Sequence, residues 1–75
     1  NSLFPNPSND MIDVSLNQFV EGELRITDIT GREVYVEKIN SDNVRVNVST
    51  LLVGYYNLSI VSGTKTIHSK MMIAR

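Results

Sequence analysis

The sequence contains no cysteine, no long apolar run and no surplus of basic residues. Without cysteine, neither a disulfide framework nor a thiolate metal site can hold the chain together. The longest apolar run, residues 51–56, is interrupted by Gly54, whereas a membrane-spanning helix needs roughly 20 such residues. Seven Lys and Arg against eight Asp and Glu give a net charge of −1, which argues against uniform phosphate recognition. We therefore expect a soluble chain with no nucleic-acid partner and no membrane-spanning segment.

Acidic residues are absent after Asp42. Residues 1–42 hold eight acids and three basic residues (−5), whereas residues 43–75 hold four basic residues and no acid (+4). Such asymmetry can mark an interaction surface. Alternatively, antiparallel strands can interleave the two halves and neutralise the contrast, which is the interpretation we favour.

The first residues have neither the positive segment nor the apolar segment of a secretory signal, and the chain does not begin with Met. We therefore expect a piece of a longer protein; if that protein is exported, its signal lies upstream.

The dominant apolar pattern has a period of two, and apolar residues nowhere recur at helical spacing over three turns. Ile12, Val14 and Leu16 alternate with polar residues, which is typical of a strand with one buried face. The same alternation occurs over residues 24–27, 44–48 and 56–60. Residues 33–39 and 65–73 are rich in Val, Ile, Thr and Tyr and are further strand candidates.

Turn-forming residues separate these runs. Gly31 and Gly63 favour hairpin connections within residues 30–32 and 62–64, and the polar residues 40–43 favour a further turn. Pro5 and Pro7 exclude a central strand, because each proline lacks a ladder donor. We expect residues 5–10 to form a rigid extended loop, after a candidate short edge strand at residues 3–4.

Short strands spaced by about 8–12 residues favour an antiparallel β-sandwich, with a small barrel as the second choice. We expect residues 1–75 to form one all-β domain, a small antiparallel immunoglobulin-like β-sandwich of about seven strands. Its predicted core consists of the inward-phase apolar residues: Ile12, Val14, Leu16, Leu24, Ile26, Val34, Val36, Val44, Val46, Val48, Tyr56, Leu58 and Ile60.

The sequence offers little catalytic chemistry. The single histidine, His68, is followed by Ser69 in a predicted strand, and adjacent strand residues point to opposite faces, so the two cannot easily act as base and nucleophile. Asp10 and Asp13 lack a third acidic partner nearby, and no phosphate loop, dinucleotide fingerprint or zinc spacing occurs. We expect no enzyme activity and no cofactor.

One loop carries several oxygen-bearing side chains, those of Asn6, Ser8, Asn9 and Asp10. They could contribute to a calcium site, which needs about six to eight oxygen ligands. Capping of the loop's own backbone is the alternative that we favour.

Four sequence blocks carry a family resemblance. Residues 5–10 match Pro-Asn-Pro-x-x-Asp, residues 26–34 a strand–glycine–strand hairpin, and residues 51–58 the pattern Leu-Pro-x-Gly-x-Tyr-x-Leu with Leu52 in place of the proline. Gly63, Lys65 and Lys70 match a closing hairpin. In this order and spacing, the chain resembles the C-terminal sorting domains of the type IX secretion system over essentially its whole length.

The resemblance implies a function without a reaction. Family members fold in the periplasm as seven-stranded sandwiches, are recognised by the outer-membrane translocon of Gram-negative bacteria, and are removed by a sortase-like surface peptidase. The implied partners are these two machines and an N-terminal cargo domain of the same chain, which is released or anchored at the cell surface. The matching motif residues are Pro5, Asn6, Pro7, Asp10, Gly31, Gly54, Tyr56, Gly63, Lys65 and Lys70.

Whether these motif residues contact a receptor or serve folding alone stays open. The prolines and glycines fix backbone geometry in either case. Lys70, in an otherwise apolar end strand, serves either recognition of an acidic surface or solubility.

Two rival functions also remain. A non-catalytic immunoglobulin-like stalk would have the same strand pattern, since fold does not fix function. A carbohydrate-binding accessory module would use Tyr35 and Tyr55 as a stacking platform. Tyr56 is in phase with Leu58 and Ile60, which predicts a core position, whereas Tyr55 points the other way and is available for surface recognition.

Overall fold

A computed structural model describes residues 3–8 and 10–74, with side chains from Asp10 onward except that of Asn17. Five strands follow one another along the chain, and the described residues contain no helix. The all-β prediction is therefore confirmed. The strands are β1 (Leu3–Ser8), β2 (Met11–Asp28), β3 (Glu33–Asn47), β4 (Gly54–Ser62) and β5 (Lys65–Ile73). No helix in this part of the chain is suited to crossing a bilayer.

The number of strands is five and not seven, because two pairs of predicted strands are continuous. β2 contains both predicted runs 12–16 and 24–27, and β3 contains the run 33–39 together with residues 44–47 of the run 44–48. The turn predicted at residues 40–43 is therefore wrong. Ser41 lies within β3, where its hydroxyl accepts a 3.0 Å hydrogen bond from the amide of Asn43 and donates one of 2.8 Å to the Asn43 carbonyl. These polar groups satisfy each other locally without ending the strand.

A large bulge divides β2 into two halves. Ser15 pairs with Asn43 and Val20 pairs with Ser41, so residues 16–19 face Asp42 alone. Extra residues on one strand bend it and increase its twist. The bulge therefore lets one long strand serve two layers of the sandwich.

The two layers share β2 and β3. The first half of β2 pairs with β1 on one side and with residues 43–47 of β3 on the other. The second half pairs with β4 and with residues 33–41 of β3, and β5 completes this layer beside β4. All of the pairs are antiparallel, and side chains from both layers form one core.

The loop predicted for residues 5–10 is wrong for residues 5–8, which belong to β1. Pro5 pairs with Val14 and Pro7 with Ile12. β1 lies at the edge of the sheet, so the exclusion of a central strand is confirmed. Ladder hydrogen bonds alternate between the two sides of a strand, so the backbone nitrogens of residues two apart, such as Pro5 and Pro7, face the same side. When that side is the open edge of the sheet, the two missing donors cost no ladder hydrogen bond.

The predicted core is confirmed except on the first half of β3. Val36 is 44% exposed, and Val34 is only partly buried. Ile26 pairs with Tyr35, and Thr27 pairs with Glu33. The register therefore shifts by one residue here and leaves Val34 as the extra residue of β3. Facing residues share a side of the sheet, so Tyr35 and not Val36 has the inward phase. The core also includes four residues absent from the prediction: Val20, Ile39, Met71 and Ile73.

Candidate recognition surface

The first motif block includes residues 5–8 of β1 and the turn residue Asp10. Asn6 of β1 pairs with Asp13 of β2. Asp10 is exposed, and its carbonyl oxygen accepts a 2.7 Å hydrogen bond from the amide of Val48. The turn is thereby attached to the chain beyond β3.

The cation site considered for this turn falls largely outside the described residues, because Asn9 and the side chains of Asn6 and Ser8 are not among them. Among the side chains that are described, no group of three His, Cys, Asp or Glu is placed to hold a metal ion.

Asp28 organises the hairpin between β2 and β3. One carboxylate oxygen, Oδ1, accepts hydrogen bonds from the amide and hydroxyl of Thr30 at 2.9 and 2.6 Å and from the amide of Arg32 at 3.0 Å. The backbone closes the turn through Gly31 N to Asp28 O (3.0 Å) and Asp28 N to Arg32 O (2.9 Å). The Thr30 hydroxyl contributes most to lowering the pKa of Asp28 below its ordinary value of 3.8. Gly31 has a φ of 88°, which an L side chain rarely adopts.

Gly54 and Tyr56 lie at the start of β4, directly after the 48–53 connection. The Tyr56 ring is buried, as predicted, and its hydroxyl donates a 2.7 Å hydrogen bond to the carbonyl oxygen of Leu52. The amide of Leu51 donates to the carbonyl of Val48 at 3.0 Å. This connection is thus folded back on itself and anchored in the core.

Gly63 and Lys65 lie at the opposite end of the β4–β5 hairpin. Gly54 pairs with Ile73 at one end, and Ser62 pairs with Lys65 at the other. At about 3.3 Å per residue, a strand of this length separates the two ends by roughly 27 Å. Gly54 and Gly63 therefore lie at opposite ends of this hairpin, and the motif residues do not form one compact site.

Lys70 lies nearer the Gly54 end, where it pairs with Asn57. Its neighbours Met71 and Ile73 are buried, and Lys70 is exposed. It therefore points out from the face that β4 and β5 present to solvent.

Ion pairs are found on the outer faces of both layers. Arg45 Nε lies 2.7 Å from Asp13 Oδ1, directly across β2 and β3, and this hydrogen bond is the main reason that the pKa of Asp13 is lowered. Arg25 lies 2.7 Å from Glu23 and 3.5 Å from Glu33. The Arg45–Asp13 pair joins the basic and acidic halves of the sequence, as the interleaving predicts.

The charge contrast between the two halves of the sequence is only partly neutralised, because Lys65 and Lys70 form no ion pair within the described part of the chain.

Tyr35 and Tyr55 do not form a common stacking platform. Tyr35 pairs with buried Ile26, and its hydroxyl donates a 2.5 Å hydrogen bond to Glu37 Oε1. This hydrogen bond to a carboxylate is the main cause that raises the pKa of Tyr35 to about 12. Tyr55 is 65% exposed on the outward phase of β4. The two rings therefore have opposite phases in the sheet.

Sequence reasoning identified Tyr55 but missed the apolar residues around it. A groove of about 440 Å³ is lined by Ile29, Tyr55, Tyr56, Asn57 and Lys70. Exposed apolar residues line this groove, line the groove next to it or pair with Tyr55, and we call them the end patch: Ile29, Leu52, Val53, Tyr55 and Met72. The available signal was phase, because Ile29 and Met72 are large apolar residues at positions that strand alternation assigns to solvent.

The fold defines an immunoglobulin-like β-sandwich. The chain is similar to a crystallised DUF3244-family protein from Bacteroides vulgatus ATCC 8482 with an immunoglobulin-like β-sandwich fold; the TM-score is 0.79 at 15% identity, covering 96% of this chain and 83% of that one. At that identity the likeness shows the fold alone. No curated protein matches the chain.

The family model described as "Secretion system C-terminal sorting domain" matches residues 2–74. The chain therefore belongs to the C-terminal sorting domains of the type IX secretion system. This family supports a secretion signal in a parent chain that the type IX system exports toward the cell surface or the extracellular space.

Proposed function

We propose that residues 1–75 form one domain that serves as a folded address label. The outer-membrane translocon recognises it, and a sortase-like peptidase removes it as the cargo is released or anchored at the surface. The observation that carries this proposal is the family match over residues 2–74. Under this proposal the domain crosses the periplasm already folded, attached to an N-terminal cargo domain of the same chain.

Recognition of many different cargoes through one domain requires a rigid shape. Asp28 fixes the β2–β3 hairpin with three hydrogen bonds, and Tyr56 anchors the connection that precedes β4. The open backbone edge of β1, which contains Pro5 and Pro7, and the glycine turns supply further fixed features. Fixed turns and strand edges lose little conformational entropy on binding, so they suit a shared receptor.

The proposal assigns no reaction to the chain itself. Its described charged side chains form ion pairs within a strand, within the Asp28 hairpin or across strands, or lie on the surface, as Lys65 does. The motif residues accordingly have positioning or contact roles, and Lys70 is the motif cation next to the exposed groove. The peptidase that cleaves the domain is a separate protein.

The test is transfer of export to a reporter. The 75-residue chain is fused to the C-terminus of a periplasmic reporter and expressed in a host with an intact type IX system and in a translocon-deficient host. We expect protease-accessible reporter on the surface of the intact host alone, with a released product whose mass shows that the domain has been cleaved off. Equal periplasmic retention of the uncleaved fusion in both hosts would refute the proposal and leave a stalk or binding module.

One further host strain separates recognition from removal. In an intact host without the sortase-like peptidase, we expect the reporter fusion to keep its domain and its full mass. Cleavage at the same position in that strain would assign removal to a different protease, while translocon-dependent export would still stand.

A further inference from the structure

Three large apolar side chains form a row on the outer face of the second layer. Tyr55 of β4 pairs with Met72 of β5. The β2–β4 ladder ends with Asp28 opposite Tyr56, so the next residue, Ile29, lies beside Tyr55, and both line the same groove. Ile29, Tyr55 and Met72 are 79%, 65% and 46% exposed. The row therefore places apolar surface from three chain segments side by side.

The connection before β4 extends this apolar surface. Leu52 and Val53 are 81% and 62% exposed, and with Ile29 and Tyr55 they line a second groove of about 510 Å³. The Tyr56–Leu52 hydrogen bond holds this connection against the core. The end patch is thus continuous and built on anchored backbone.

Contiguous exposed apolar patches are uncommon on soluble monomers and mark interaction sites. The core of this domain does not need the end patch, because its side chains lie outside the buried cluster. Covering these residues on binding would remove their apolar surface from water, which is favourable. The patch therefore has an energetic reason to be covered by a partner.

The charges at the patch favour a carboxylate on that partner. Lys70 lines the first groove, and Arg32 lines the second. Among the residues that the structure describes, the only carboxylate lining either groove is that of Asp28. It is already occupied, since Oδ1 accepts three hydrogen bonds and Oδ2 lies 3.4 Å from Arg32. Lys70 forms no ion pair among the described residues.

We propose that the end patch and Lys70 form a docking surface for a protein segment that carries apolar side chains and a carboxylate. The inference rests on the proposed function, which makes that segment part of the translocon. The apolar side chains of the segment cover Ile29, Tyr55 and Met72, and its carboxylate pairs with Lys70 in the adjoining groove. Apolar contact supplies affinity, and the charge pair orients the segment.

Matched variants of the reporter fusion test this surface. Ile29→Ser, Tyr55→Ser and Lys70→Glu change the docking surface. Val36→Ser and Lys38→Glu make the same kinds of change elsewhere, since Val36 is 44% exposed and Lys38 is an exposed residue of β3 that pairs with Glu23 and lies outside the motif blocks. Each variant is first purified and melted, and only variants that melt cooperatively near the wild-type temperature are compared.

We expect surface display in the intact host to fall at least roughly tenfold for each docking-surface variant and to stay near wild type for both controls; tenfold corresponds to about 1.4 kcal/mol. Wild-type display by folded Ile29→Ser and Tyr55→Ser would overturn the docking surface while the proposed function stands. Wild-type display by Lys70→Glu alone would overturn the carboxylate pairing. A wild-type fusion that is never displayed would instead refute the proposed function, and this inference with it.

A second copy of the chain is the competing occupant, and sedimentation velocity distinguishes it. We expect the wild-type domain to sediment as a monomer at tens of micromolar. A wild-type dimer that Tyr55→Ser converts to a monomer would assign the patch to self-association and overturn the translocon assignment.

Discussion

The hydroxyl of Tyr56 donates a 2.7 Å hydrogen bond to the carbonyl oxygen of Leu52. The Tyr56 ring is 8% exposed, whereas the Leu52 side chain is 81% exposed. This contact therefore connects the core of the sandwich to the apolar surface beside Gly54. It gives the tyrosine of the third motif block a structural role, because the hydroxyl and the ring fix where Leu52 and Val53 lie.

Removing only the Tyr56 hydroxyl should weaken the fold slightly. We predict that Tyr56→Phe lowers the free energy of unfolding by about 1 kcal/mol, the typical net contribution of one hydrogen bond. Urea denaturation of both proteins measures the difference. Tyr55→Phe is the control, since that exposed ring has no hydroxyl hydrogen bond among the described contacts, and it should change stability by less than about 0.5 kcal/mol. Equal losses in the two variants would contradict the role of the Tyr56–Leu52 contact.

Restoring the proline of the motif should stabilise the 48–53 connection. The amide of Leu52 donates none of the backbone hydrogen bonds described for this connection, and proline would keep the carbonyl that Tyr56 contacts. We predict that Leu52→Pro raises the free energy of unfolding by about 0.4–1 kcal/mol through lower entropy of the unfolded chain. Leu52→Ala is the matched comparison, because alanine removes the leucine side chain without fixing φ in the unfolded chain. A destabilised Leu52→Pro variant would show that the backbone here differs from that of the family motif.

Gly22 is required by a close approach of two strands. A Cβ at this position would collide with the carbonyl oxygen of Val61 in β4. We predict that Gly22→Ala costs about 1–3 kcal/mol, the usual range for overpacking, in a chemical denaturation experiment. Glu21→Ala at the neighbouring exposed position should stay within about 0.5 kcal/mol of wild type. Wild-type stability of Gly22→Ala would show that the strands can separate without cost.

The Asp28 hairpin should make stability depend on acid pH. Because the folded protein lowers the pKa of Asp28 below 3.8, the stabilisation is present above that value and is lost as the pH falls through the lowered pKa. We predict that the melting temperature of Asp28→Asn lies below that of wild type at neutral pH, and that the gap narrows at pH values below 3.8. A gap that stays constant down to acid pH would contradict the prediction.

Thr30→Val provides the second variant, since the Thr30 hydroxyl is the largest cause of the Asp28 shift. In this variant the pKa of folded Asp28 should lie closer to 3.8, so the acid loss of stability should be smaller than in wild type and complete at a higher pH.

Tyr35 should be titratable by ultraviolet absorbance. Its pKa is raised from 10.0 to about 12, so an ionisation near pH 12 should disappear in Tyr35→Phe. The hydrogen bond to Glu37 needs the protonated phenol, so its stabilising effect is complete below pH 10 and is lost as the pH rises toward 12. Loss of the shift in Glu37→Gln would identify the carboxylate as its cause, and an unchanged titration in that variant would contradict it.

Strand alternation predicted most of the fold because its signal is local. The period of two alone predicts that four residues face the core, and all four are buried: Ile12, Val14, Leu58 and Ile60. The joining of predicted strands into β2 and β3 could not be predicted, because a bulge and a turn offer similar polar sequences. Residues 40–43 read as a turn, yet they continue β3 opposite the bulge at residues 16–19. Pairing with β2, a non-local effect, decides whether these residues form a turn or continue the strand.

The candidate surface was predictable residue by residue but not as an assembly. Gly54, Tyr56 and Lys70 belong to motif blocks, and Tyr55 has the outward phase of a strand. Their convergence with Ile29 depends on the register that places Asp28 opposite Tyr56 and Tyr55 opposite Met72. Register is set by the whole sheet and by turn geometry. The sequence alone therefore does not predict that these residues lie side by side.

The most direct test of the sorting function is the surface-exposed fraction of the wild-type reporter fusion, measured by protease shaving of intact cells. We predict a high fraction when the type IX translocon is present and a background fraction when it is absent, with the reporter lacking the domain at background in both hosts. Equal fractions for the fusion in the two hosts would contradict the claim that this β-sandwich is a transferable sorting signal.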